Sequence, residues 1–243
     1  METVTSSDGT KIAFERLGDG PPLIVVGGQL CDRALTRPTA GELAKHFTVI
    51  NYDRRGRGDS GDTKPYAVER EIEDISALIA EAGGTASVYG HSSGAALALH
   101  AAARGLPITK LALHEPPYAP AEDEAMQRTS RKDAETIKTL LAEDRRGDAI
   151  AHILSGIGMP REMVEGMSHD ERVVAMAHTM AYDSEVMGDI ERGGAIPSDL
   201  LGAVSIPTLV LVGGASPAWM IEVGRQIADA LPNGRHRVLE GWE

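Results

Sequence analysis

Five short apolar runs constrain this chain more than any other feature: Leu23-Ile24-Val25-Val26, Phe47-Thr48-Val49-Ile50, Ala86-Ser87-Val88-Tyr89, Ile108 to Leu113 and Thr208 to Val212. They are rich in β-branched residues and carry no sustained polar alternation. Strands apolar on both faces need cover on both sides, which a parallel sheet between helices supplies. The segments between them fit that demand. Val68 to Glu81 places Ile72, Ile75, Leu78 and Ile79 on one helical face, and Ala95 to Ala103 is a small-residue helix able to pack close to a sheet. Pro217 to Leu231 predicts a further helix, followed by a short last run at Arg237-Val238-Leu239. At the start, Thr3 to Phe14 reads as a hairpin around Ser7-Asp8-Gly9. Strand and helix in repeated order, joined by right-handed crossovers, give a doubly wound, mostly parallel α/β sheet.

Between Pro116 and about Pro197 the strand signal stops. Helical patterns replace it at Asp133 to Glu143, Asp148 to Leu154, Arg161 to Met167 and Asp170 to Ala181. The expected organisation is therefore a core of residues 1–117 and 198–243 with a helical cap inserted at 118–197. Seven of the nine methionines fall in this segment: Met126, Met159, Met163, Met167, Met176, Met180 and Met187. They are expected to form the insertion's own small core, the other reading being an adaptable apolar pocket.

One motif carries chemistry. Gly90-His91-Ser92-Ser93-Gly94 follows an apolar strand directly and opens a helix, the two contexts that a G-x-S-x-G nucleophile turn requires. Serine there sits in a tight, strained bend at the carboxyl edge of the sheet, and the glycines leave room for the adjoining strand and helix. The next backbone N–H, that of Ser93, lies at a helix start, where negative charge is stabilised.

With that turn in place the chain resembles bacterial α/β-hydrolases over essentially its whole length, with matches in the family's order. They are Val26-Gly27-Gly28-Gln29 after an early strand, Asp53-Arg54-Arg55-Gly56-Arg57-Gly58-Asp59-Ser60 after the next, the nucleophile turn, a cap, and Ile206 to Gly213. The resemblance implies an oxyanion hole made by the N–H groups of Gln29 and Ser93. Relatives usually have His-Gly where this chain has Gly27-Gly28, a mild departure because the hole uses backbone. In look-alikes the Asp53 to Ser60 stretch is a structural turn, and that reading is adopted here over a catalytic or phosphate-binding one.

A serine hydroxyl needs a base and usually an orienting carboxylate. Many relatives carry the acid after the strand corresponding to Thr208 to Val212, but this chain continues Gly213-Gly214-Ala215-Ser216-Pro217 without one. The family's second solution places the acid at the end of the strand after the nucleophile helix, where this chain has Glu115. The histidine base normally follows the last strand, so it is expected just beyond Glu243, together with a final helix that this sequence lacks. Among internal histidines, His91 is expected to point back into the structure and His114 away from Glu115, while His46, His100 and His236 read as scaffold. His152, His169 and His178 in the insertion are the remaining candidates. Tyr118, Met180, Tyr182 and Trp219 are expected substrate contacts, from position alone.

The expected chemistry is hydrolysis of a small ester, thioester or lactone through an acyl-Ser92. Epoxide or haloalkane hydrolysis ranks lower, since those enzymes use aspartate in this position. The alternatives are a non-hydrolytic enzyme on the same fold, such as a lyase, cyclase or bond-forming enzyme of secondary metabolism, or a binding module without a base. No metal or organic cofactor is implied, so the expected partner is a small-molecule substrate. A net charge of −12 disfavours nucleic acid. No run approaches membrane-span length, and a lone Cys31 fits a reducing cytoplasm.

Overall fold

The computed structural model describes residues 1–241. The chain runs through β1 (Glu2–Thr5), β2 (Lys11–Leu17), β3 (Pro22–Val26), α1 (Arg33–Leu43), β4 (Thr48–Tyr52), α2 (Val68–Glu81), β5 (Ala86–His91), α3 (Ser93–Ala103) and β6 (Ile108–His114). An all-helical segment follows: α4 (Glu124–Ala142), α5 (Arg146–Gly156), α6 (Arg161–His169), α7 (Glu171–Met176), a 3₁₀ turn at Ala177–Thr179, α8 (Met180–Met187) and α9 (Asp189–Arg192). The chain then returns to the sheet through α10 (Ser198–Ala203), β7 (Thr208–Gly213), α11 (Ala218–Ala230) and β8 (Gly234–Leu239).

Eight strands form one sheet in the order β1-β2-β4-β3-β5-β6-β7-β8. The β1–β2 and β2–β4 pairs are antiparallel and the rest parallel, with Val25 beside Tyr89 and His91 beside His114. The order reverses between β3 and β5, because the chain crosses from β4 back over β3 to start β5. In doubly wound sheets the crevice beyond the strand ends at such a reversal is where ligands bind. The loop holding Gln29 leaves β3 there, and Ser92 leaves β5.

Alternation along the strands divides the core. Ile24, Val26, Ile50, Val88, Leu111, Leu113 and Val210 face α2, α3, α10 and α11 in the main cluster, while Leu23, Val25 and Val49 face α1 through Ala40. On this second face, Tyr89, His91, Ala112, His114, Leu209 and Leu211 are only half-buried, since α1 covers the β3–β4 side and no other described helix lies over β5 to β8. No helix among the described residues is long and apolar enough to cross a membrane.

Pattern reading placed α2 at its observed limits and missed α1, whose Pro38, Thr36 and Thr39 disguise it. Helix α1 starts because Asp32 caps it, accepting from Ala34 N and Leu35 N at 3.0 Å each. The expected helix at Asp170 to Ala181 divides into α7, the 3₁₀ turn and the start of α8. Most of the insertion's methionines are packing residues. Met176 and Met180 are 5% and 0% exposed and Met159 and Met167 line the insertion's apolar cluster, while Met163 is half exposed.

Candidate active site

The turn after β5 owes its shape to three glycines. A Cβ on Gly90 would lie 2.4 Å from Gly94 O, and one on Gly94 would lie 2.3 Å from Val26 O, so strand, turn and helix close directly upon one another. A Cβ on Gly28 would lie 3.1 Å from Ser92 Cβ, which is how near the loop after β3 comes to the serine. Ser92 itself has φ 54° and ψ −127°, a region that L-residues avoid. Its N–H donates to His114 O at 2.9 Å, and its carbonyl accepts from Ala95 N at 2.8 Å, which fixes both sides of the bend.

Among the described residues only four non-glycines have positive φ: Leu30, Ser92, Glu115 and Asp144. The first three stand at the ends of β3, β5 and β6, around one crevice. Strain of about 1–3 kcal/mol at each such residue persists only where its surroundings enforce it. Leu30 is enforced by burial in one apolar cluster with Ile137, Ile150, Ala177 and Met180 of the insertion. Glu115 is enforced by its N–H bond to Leu211 O at 2.8 Å and by its carboxylate. The Oε1 atom accepts from Gly213 N at 3.1 Å and Ser216 Oγ at 2.5 Å. The turn that lacks an acid thus holds one from the neighbouring strand. Burial pushes the Glu115 carboxyl up, but the Ser216 hydroxyl, the Gly213 N–H and the nearby His114 and His91 outweigh it, leaving its pKa below the ordinary range. Among the described residues Oε2 has no comparably close partner, and it lies 4.0 Å from His91 Nε2.

Ser93 opens α3, so its N–H has no intrahelical acceptor. Gln29 lies in a turn closed by Cys31 N to Gly28 O at 3.3 Å. The two expected oxyanion donors are therefore on loops that meet at Gly28 and Ser92.

One internal histidine is placed differently than expected. His91 does not turn back into the structure; its half-exposed ring packs against His114, centroids 5.3 Å apart, and lines a cavity of about 240 Å³ with Val25, Cys31, Leu35, Tyr89 and His114. His114 Nδ1 is bound by Tyr89 OH at 2.5 Å. Burial lowers the pKa of both rings. His152 is held by Asp133 at 2.9 Å, His169 by Glu165 O at 2.8 Å and His178 by Asp62 at 3.2 Å, which commits each insertion histidine elsewhere. The base expected past Glu243 lies outside the described residues.

Three of the four expected substrate contacts are packing residues. Tyr118, 1% exposed, belongs to the main core, and Met180, 0% exposed, to the insertion's cluster. Tyr182 stacks on Tyr66 at 3.8 Å with its hydroxyl on Asp62. Each lies on an apolar face that the fold must cover, which position in sequence did not reveal. Trp219, at the start of α11, is 39% exposed.

The loop after β4 is as structural as expected but far more charged inside. Arg54, Arg55 and Arg57 are all buried. Arg54 forks onto Glu71 with two 2.7 Å bonds, and Arg55 onto Asp74 at 2.8 and 2.7 Å. Sequence reading treated α2 as an apolar stripe and missed these two buried carboxylates; the adjacent arginines of the loop were the available signal. Asp183 of α8 accepts from Arg54, Arg57 and Ser93 Oγ at 2.8 Å each.

Residues 23–242 match the model of the Alpha/beta hydrolase family. The fold superposes on an α/β hydrolase from Sphaerobacter thermophilus with 52% identity and TM-score 0.84, covering 99% of this chain and 93% of that one. A thermophilic esterase from Thermogutta terrifontis, solved with malate bound, is 25% identical with TM-score 0.71, covering 99% and 90%. An uncharacterized hydrolase of Bacillus subtilis, YraK, is 35% identical over 95 residues, 37% of this chain and 35% of that protein, so the match spans about a third of that relative's length. The chain belongs to the α/β-hydrolase family.

Proposed function

We propose that this protein is a serine hydrolase that cleaves a small carboxylic ester, thioester or lactone through an acyl-enzyme on Ser92. The observation that carries the reading is the strained Ser92 at the end of β5, set between the first N–H of α3 and the Gly28-Gln29 loop. The similar esterase from Thermogutta terrifontis supports the choice of ester chemistry.

In this mechanism Ser92 Oγ attacks the carbonyl carbon as its proton passes to a histidine. The carbonyl oxygen takes the negative charge and is met by the N–H groups of Gln29 and Ser93. Collapse expels the alcohol or thiol, which takes the proton back from the imidazolium. Water then repeats the sequence on the acyl-Ser92 and releases the acid. Glu115 Oε2, which has no hydrogen-bond partner among the described residues while Oε1 is bound twice, would accept from that histidine and balance the imidazolium charge. The base is proposed to come from chain that follows β8, since His114 and His178 are held by other partners and the ring of His91 packs edge-on against His114.

The test is p-nitrophenyl ester hydrolysis by the chain ending at Glu243 and by the product of the gene expressed to its stop codon, each beside Ser92→Ala. Loss of the base of a serine triad costs about a millionfold in turnover. Activity in the longer protein alone, abolished by Ser92→Ala, is the expected result. Two folded but inactive proteins would refute hydrolysis and leave a non-hydrolytic enzyme or a binding module.

A further inference from the structure

The oxyanion loop has two grips on the helical insertion, one apolar and one ionic. The apolar grip is Leu30, buried at 3% exposure among Ile137, Ile150, Ala177 and Met180. The ionic grip is Arg57. Its Nη1 donates to Gly28 O at 2.7 Å, its Nη2 to Asp183 Oδ2 at 2.8 Å, and its Nε to Thr179 Oγ1 at 3.2 Å. Every donor of this fully buried side chain that the structure records thus goes either to the insertion or to one carbonyl beside Ser92.

That carbonyl belongs to the peptide group that joins Gly28 to Gln29. The only cis bond among the described residues is Lys64-Pro65, so this peptide is trans, with its C=O and N–H pointing in opposite directions. Arg57 and the Cys31 N–H hold the oxygen from one side. The Gln29 N–H must then project from the other side, and it is the donor assigned to the oxyanion. A charge-assisted bond to the carbonyl also polarises the whole peptide and strengthens its N–H as a donor. Asp183 completes the arrangement from the opposite quarter: Oδ1 accepts from Ser93 Oγ at 2.8 Å, so one carboxylate holds the segment of each donor.

We infer that Arg57, anchored by Asp183 and Thr179, is a positioning residue that aims the Gln29 N–H at the oxyanion, so that the hole is formed only while the helical cap is seated. The inference rests on the hydrolase reading of Ser92. It gives Arg57, alone of the Asp53 to Ser60 loop, a part in catalysis beyond the turn. A lysine at position 57 would keep the charge, but one ammonium cannot reproduce the planar fork that serves Gly28 O and Asp183 together.

The experiment uses the full gene product and compares wild type with Arg57→Lys, Asp183→Asn and Arg55→Lys. Arg55 is the matched control, equally buried and ion-paired with Asp74 and Asp8 but in contact with neither oxyanion segment. Steady-state ester hydrolysis gives kcat and KM, inhibition by an aryl trifluoromethyl ketone reports the tetrahedral adduct, and thermal melting reports folding. Removing one oxyanion-hole donor costs about 10²–10³ in kcat, and misaiming it should cost less, about 10–100-fold. Arg57→Lys is expected to lower kcat by about that factor and weaken the ketone equally, with KM within about threefold, because a group acting only on the transition state leaves ground-state binding alone. Asp183→Asn should move both quantities in the same direction by about tenfold. Arg55→Lys should lose melting temperature yet keep kcat and ketone affinity.

Folded Arg57→Lys with kcat within twofold of wild type overturns the inference, as does an equal loss in Arg55→Lys. If Arg57→Lys does not fold, Asp183→Asn decides on the same two readouts. A wild type that hydrolyses no ester overturns the hydrolase reading and the inference with it, whereas an active wild type with unaffected variants overturns the inference alone.

Discussion

Replacing Glu115 by glutamine tests the acid assignment without disturbing the fold. The Oε1 position is occupied by two groups that only donate here, the Gly213 N–H at 3.1 Å and the Ser216 hydroxyl at 2.5 Å. A glutamine must therefore place its amide oxygen there, which sends its NH₂ to the place of Oε2. A donor then faces the base where an acceptor is required, so the histidine is held in the wrong tautomer and its developing charge is unbalanced. The same exchange in a serine triad lowers kcat by about 10⁴, or about 5.5 kcal/mol of transition-state stabilisation. Folding should change little, because both Oε1 bonds survive and each is worth only about 1 kcal/mol. Ester turnover by the full gene product, with melting curves of both proteins, measures the two effects separately. A Glu115→Gln protein retaining a tenth of wild-type kcat would refute the assignment and move the search for the acid elsewhere.

Ser92→Gly should abolish turnover and raise the melting temperature by about 2–4 °C, since glycine relieves about 1 kcal/mol of strain at φ 54° in a protein of this size; an unchanged or lower melting point would mean that the bend is not strained. Gly94→Ala gains about 1 kcal/mol of helix propensity but drives a Cβ to 2.3 Å from Val26 O and 2.6 Å from Gly27 O. The clash should win, with a net loss of about 2 kcal/mol by calorimetry; a stabilised variant would contradict the close approach of helix and loop. Burial, with Asp183 and Asp133 nearby, pushes the Asp189 carboxyl up to about 7 against the Ser184 hydrogen bond. A carboxyl raised on folding favours the native state most when protonated, so its contribution is greatest below about pH 4 and is lost as the pH rises through 7. Asp189→Asn should therefore flatten stability between pH 4 and 8 and leave the variant the more stable at pH 8; parallel curves in denaturant titrations would count against this.

What could be read from the chain followed the physics that repeats. Strands β3 to β7 were legible because burial on two faces forces uninterrupted apolar runs, and α2 because Ile72, Ile75, Leu78 and Ile79 repeat at helical spacing. The bend at Ser92 and the place of Glu115 just past β6 were legible because a local motif and a strand end fix them. Helix α1 was not, since its start depends on one Asp32 side chain and its buried face on little more than Ala40. That Tyr118, Met180 and Tyr182 are buried was hidden for a related reason. A large residue in a helical insertion has the same composition signal whether it lines a pocket or fills a core, and only the fold decides.

The charged network shows the deeper limit. Arg54 and Arg57 lie more than a hundred residues from Asp183 in sequence, yet the three meet in a fully buried cluster with Glu71. Burial alone would raise the Asp183 carboxyl, but the facing Arg57 and Arg54 guanidinia hold its pKa below the usual value, so the pair stays charged inside the protein. Buried ion pairs seldom add stability over apolar packing of the same volume. Their benefit here is directional. Apolar side chains could fill the space under the insertion, but none could fix the orientation of the Gly28 carbonyl and the Ser93 hydroxyl together. A loop strained at Leu30 and a serine strained at position 92 need such fixing, because each would otherwise relax toward ordinary backbone angles and carry its N–H away from the crevice.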